Sequence, residues 1–129
     1  MTPDETIDLL SLAACYDRRT VGETDVNAWH AAVGDLAFAD CRTAVIGHYT
    51  DTTEWLMPAH VRQRVRTIRD RRFDHAEIPA PPPELADDFP AYRAALHAAR
   101  VAAGDGRDPE AATQAVASRP RLRIEASRD

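Results

Sequence analysis

Bulky side chains are unevenly spread along this chain of 129 residues, and the unevenness limits where a core can form. Leu, Ile, Val and Phe number 24, about 19% of the chain, close to the level below which a sequence cannot support a core over its whole length. Fifteen of those 24, both Trp and two of the three Tyr lie within residues 1–70. The hydrophobic fraction reaches 44% only because 24 of its positions are Ala. This pattern predicts an all-α protein in three parts. A compact four-helix domain covers residues 1–76, a Pro-rich linker 77–83, and an Ala-rich tail 84–129 that is partly helical or disordered.

Local signals place the helices. Thr2, Pro3 and Glu5 form a capping box with proline at the first helical position. Ile7, Leu9, Leu10, Ala13, Ala14 and Tyr16 then cover about half the helical circumference, an arc wide enough for more than one neighbour. Thr24 reads as the next cap, Val26, Trp29 and Val33 follow at helical spacing, and Gly34 closes the segment. Asp35 opens a turn into a third helix with Phe38, Cys41, Val45 and Tyr49 on one stripe. Residues 50–57 are a polar loop, and Pro58 starts a fourth helix whose stripe is Val61, Val65 and Ile68. The predicted core is Trp29, Phe38, Val45, Tyr49, Val61, Val65 and Ile68. In the tail, Pro90–Ala103 reads as a helix ended by Gly104, and Asp108 and Pro109 open another that runs to Ser118.

Charge divides the chain in the same way. All 16 basic residues are Arg. Residues 1–57 carry three Arg against ten acids, whereas residues 58–77 carry six against three. The result is an acidic body with one basic helix, a balance that argues against a protein that coats duplex DNA. Arg62, Arg66 and Arg69 lie on one shoulder of that helix's apolar stripe, and Arg64 and Arg71 on the other. Guanidinium forks suit carboxylate and phosphate alike, so the helix reads as an interaction surface or as a solvated face. Its eight-residue approach loop fits a helix-turn-helix poorly.

Chemistry finds little support. The sequence has no GxxxxGK[ST] loop, no GxGxxG turn and no HExxH pair. Cys15, His30, Cys41 and His48 do not fall at close zinc-ligand spacings, so no metal and no cofactor are expected. The two cysteines read as reduced thiols, with a Cys15–Cys41 bridge as the alternative. The acidic N-terminal segment lacks the basic start of a targeting signal, no run is long enough to span a membrane, and the expected location is cytoplasmic. The chain is therefore expected not to be an enzyme.

The first helix ending in Tyr16-Asp17, TDVNAW at 24–29, GDLAFADCRTAVIGHY at 34–49 and MPAHVRQRVRTIR at 57–69 together resemble the small phage-type helicase loader and inhibitor family. The resemblance spans about residues 3–72. It implies a helical N-terminal domain and a flexible C-terminal segment that contacts a hexameric replicative helicase, with an origin-binding initiator as a further partner and weak nucleic-acid contact. Arg62, Arg64, Arg66, Arg69 and Arg71, with Phe89 and Tyr92 as the tail's aromatic anchors, are the candidate partner-binding residues. Two other readings stay open on the residues alone: a DNA-binding regulator that uses the basic helix, and a phage interaction module without a replication role.

Overall fold

The computed structural model describes residues 1–119. Over these it is all-helical, without a strand: α1 Pro3–Asp17, α2 Glu23–Val33, α3 Phe38–Asp51, α4 Pro58–His75, a single 3-10 turn Pro83–Leu85, α5 Phe89–Gly104 and α6 Pro109–Ala117. The chain divides into two compact units after Ile68, not after residue 76. The first turns of α4 complete unit 1, while its last turns belong to unit 2.

Unit 1 follows the expected local chemistry with small shifts. Thr2 Oγ1 accepts from the Glu5 amide at 3.1 Å and Glu5 returns a bond to the Thr2 amide at 2.8 Å, so α1 opens on the capping box. Helix α2 starts at Glu23, ahead of Thr24, because the Asp25 carboxylate reaches back 3.0 Å to the Gly22 amide. Trp29, Val45, Val61 and Val65 are buried, and Phe38 and Tyr49 are packed against them, while Ile68 is only half-buried. Leu9, Leu10, Val33, Cys41 and Leu56 join them as fully buried side chains. The wide apolar arc of α1 is not all used: Ile7 and Tyr16 remain exposed.

The loop 52–57 has no regular structure, so its backbone polar groups need side-chain partners. His48 Nε2 sits 2.6 Å from the Glu54 carbonyl, Tyr49 Oη accepts the Leu56 amide at 2.9 Å, and His60 Nδ1 accepts the Met57 amide at 2.9 Å. Arg19 donates to the Leu56 carbonyl at 2.9 Å. The same guanidinium makes a 2.6 Å ion pair with Asp17, whose carboxylate also accepts the Tyr49 hydroxyl at 2.5 Å. The Arg19 and Asp17 side chains are only 9% and 6% exposed.

Burial alone would raise the Asp17 pKa, but hydrogen bonds from Arg19 and Tyr49 outweigh it and hold the carboxyl below its ordinary value. A folded value below the unfolded one means that the stabilisation is complete above about pH 4 and is lost as pH falls further.

Unit 2 is more ordered than the expected tail. Helices α5 and α6 pack on each other, and Ala95, Ala99, Ala102 and Ala103 of α5 are nearly inaccessible, with Thr113 buried on α6 and Leu85 in the 3-10 turn. Pro81 and Pro82 are buried too, so the segment expected as a Pro-rich linker is partly core. Counting large side chains missed this unit because alanine contributes by close helix approach and not by volume. The expected tail residues 120–129 lie outside the described residues.

Helix α5 ends in a Schellman arrangement. The Arg107 amide bonds the Ala102 carbonyl at 2.7 Å and the Gly106 amide the Ala103 carbonyl at 3.1 Å, with Gly106 left-handed at φ 73°. The residue that needs to be glycine is thus Gly106, beyond the expected stop at Gly104. At the same end, Arg69 pairs with Asp105 and Arg72 donates to the Gly104 carbonyl at 3.2 Å. These cations of α4 serve the C-terminus of α5, whose own last turn has no basic residue.

Two outcomes are expected from urea unfolding. Arg19→Met leaves the Asp17 carboxylate buried without its cation and lowers stability by about 3 kcal/mol at pH 7, while Asp17→Asn flattens the stability loss below about pH 4 relative to the parent. Gly106→Ala forces a Cβ into the left-handed region and costs about 1 kcal/mol.

Candidate interaction surfaces

The arginines of α4 do not form one free basic face. Arg62 makes a two-pronged pair with Asp35, 2.6 and 3.1 Å, and donates to the Ala32 carbonyl at 3.0 Å. This closes the α2–α3 turn against α4. Arg62 also holds the exposed Asp35 carboxyl below the usual range, chiefly through its hydrogen bond. Arg64 reaches Asp51 at 3.0 Å across Gly47, where an added Cβ would stand 3.0 Å from its guanidinium. Arg69, in unit 2, is matched by Asp105. Only Arg66 and Arg71 of the five are exposed without an ion pair among the described residues. The sequence showed the cations but not their partners, because Asp35, Asp51 and Asp105 come from distant turns.

On α5, Phe89 is 68% exposed and Tyr92 36%. Arg93 lies against Phe89, its guanidinium carbon 5.7 Å from the ring centroid, and Leu96 is half-buried one turn on. Positions 89, 92, 93 and 96 follow i, i+3, i+4 and i+7 spacing and form one stripe of the helix. Asp88 caps the start through the Ala91 amide at 3.2 Å, and the buried alanines mark the adjoining side as the packed one. The two aromatics singled out from sequence therefore share a surface; Leu96, which helical spacing already puts on the Tyr92 face, and Arg93, which sequence reasoning passed over, extend it. Helical spacing from Phe89 would have found Arg93.

A third surface lies on unit 1. Trp55 is 53% exposed, Met57 and Tyr16 about as much, and Trp55 stacks on Arg19 at 4.4 Å. In sequence this loop is a polar run with an apolar tip, which does not separate Trp55 from Leu56. Leu56 points inward and Trp55 outward.

Cys15 is exposed and Cys41 buried, both as free thiols, and burial with nearby Asp40 pushes the Cys41 thiol up to about 11, which keeps it protonated and a poor nucleophile. Among the described residues no cluster of His, Cys, Asp and Glu is placed to hold a metal ion. No helix among them is long and apolar enough to cross a membrane.

Comparison with known proteins finds no matching family model, no matching curated protein and no matching solved structure.

The pairing of Arg62, Arg64 and Arg69 sets an expectation for nucleic acid. Two unpaired arginines on α4 release few counterions, so any duplex-DNA binding through this helix should show a log–log salt slope no steeper than about −2. An Arg66→Ala, Arg71→Ala double variant should abolish it, as read by fluorescence anisotropy.

Proposed function

We propose that this chain is a non-catalytic accessory protein of DNA replication that binds a hexameric replicative helicase. In this reading it holds the helicase inactive while bound and delivers it to DNA together with an origin-binding initiator. The observation that carries the binding mode is the α5 stripe. Phe89, Tyr92, Arg93 and Leu96 stand at the spacing of a helix that lays one side into an apolar groove, while the adjoining side, with Ala95, Ala99, Ala102 and Ala103, is buried within unit 2. Aromatic and arginine side chains at the centre of such a contact are the types that dominate binding energy. The guanidinium beside Phe89 favours a groove with carboxylates at its edge. The resemblance of residues 3–72 to helicase loaders and inhibitors supports the identity of the partner, and the internal pairing of three α4 arginines favours a protein partner over bare DNA.

The full-length protein is expected to co-elute with its cognate replicative helicase in size exclusion at micromolar concentration and to reduce unwinding. A Phe89→Ala, Tyr92→Ala double variant should weaken the complex by about 30-fold or more, the size of a hot-spot loss. Failure to co-elute, with nucleotide and without, would remove the helicase reading.

A further inference from the structure

We propose that unit 1 carries a second docking surface, centred on Trp55, for a basic amphipathic segment of a partner protein. This inference is independent of the α5 reading, since it concerns other residues and partner chemistry of the opposite sign.

The first argument is rigidity. An exposed tryptophan on a loop normally loses rotamer freedom when it is captured, which weakens binding. Here the neighbouring Leu56 is fully buried, its amide is bonded to Tyr49 and its carbonyl to Arg19. The indole itself lies over the Arg19 guanidinium, which is held by Asp17 and has Trp29 within 5.4 Å. One face of Trp55 is thus occupied from below while half the side chain stays open to water. Much of the ordering cost is met before any partner arrives.

The second argument is shape. Trp55 forms a ridge between two clefts. Tyr16, Tyr49 and Thr53 line one of about 450 Å³, and Leu10, Val21 and Met57 line the other, of about 170 Å³. An apolar side chain on either side of the ridge would cover Tyr16 and Met57, which are exposed apolar surface of the kind that marks interaction sites.

The third argument is charge, and it selects the occupant. Arg19 is the one cation lining either cleft among the described residues, and Asp17 neutralises it. Asp25 lines the smaller cleft, and Glu54, 74% exposed and 3.6 Å from His60 Nε2, adjoins Trp55 in the chain. Residues 1–57 as a whole carry ten acids against three arginines. Phosphate is repelled by such a rim, and lysine or arginine is attracted. A helix with aliphatic residues on one side and cations beside them meets both demands: its apolar side chains enter the clefts, and its cations reach Asp25 and Glu54. A cation can also stack on the open face of the indole.

The test uses the full-length, isotope-labelled protein and two synthetic amphipathic peptides of about 14 residues, one of Leu and Lys and one of Leu and Glu in the same pattern. The Leu/Lys peptide should give saturable amide shifts at Tyr16, Trp55 and Met57, weakened by salt, and the Leu/Glu peptide should give none. Trp55→Ala should reduce affinity by at least about tenfold. Asp25→Asn with Glu54→Gln, in which the Asn oxygen still accepts the Gly22 amide that opens α2, should reduce it by about threefold and flatten the salt dependence. The proposal is overturned if the Leu/Glu peptide binds equally, if the shifts cluster on α5 and α6, or if neither peptide binds. It is also overturned if the same residues broaden with protein concentration alone while sedimentation shows a dimer, which would make a second copy the occupant. Helicase co-elution bears on none of these outcomes, so each reading can fail without the other.

Discussion

Arg19 gathers a carboxylate, a backbone carbonyl and two indole rings around one guanidinium, and the loop that closes unit 1 depends on it. An ion pair this dry is costly to assemble, because both charges leave water, and it is favourable only when the remaining donors and acceptors are filled. Tyr49 and the Leu56 backbone complete that set. Once it is filled, Leu56 is committed to the core and Trp55 to the surface. A purely apolar contact at Arg19 would bury similar area but leave the loop free to choose which of the two large residues turns inward. The polar network supplies that directionality, since hydrogen bonds have preferred angles and apolar burial does not.

How far the sequence reveals such a structure depends on the range of the interaction. Capping chemistry acts over three residues, so Thr2–Glu5 and the opening of α4 at Pro58 are readable directly. The start of α2 is misread because Thr24 is the more familiar cap, while Asp25 reaching back to Gly22 wins on geometry. The all-α class follows from periodicity alone. The Arg19 node could not be read in advance: Asp17, Tyr49 and Leu56 are up to 39 residues apart, and nothing local marks them as one site. The same is true of Arg62 with Asp35 and Arg69 with Asp105, whose partners lie 27 and 36 residues away.

Unit 2 exposes a different limit. A rule that weighs residues by transfer free energy treats alanine as nearly neutral, and Ala-rich helices then look unable to hold each other. Ala95, Ala99, Ala102 and Ala103 show the other side of the argument. Small side chains let two helix backbones approach closely, and dispersion between many atoms in contact replaces the burial of a few large ones. Alanine also gives up no rotamer entropy on packing and is the best helix former, so the cost side of the balance is low. With Leu85, Pro81 and Pro82 added, the segment that composition assigned to a spacer and a loose tail contains a core of its own.

Taken with the proposed reading, the two surfaces differ in the chemistry that would recognise them. The α5 stripe presents aromatic groups beside Arg93, and the Trp55 ridge presents aromatic groups beside Asp25 and Glu54. Apolar contact supplies affinity at both and distinguishes neither, because a leucine or a phenylalanine from any partner can fill such sites. Discrimination has to come from charge, where the wrong sign places like charges together and costs more than the right sign gains. An adaptor that handles two partners needs that asymmetry. With Arg93 beside the aromatics of one surface and carboxylates beside those of the other, the two proposed binding events would stay separate by charge without any change of fold.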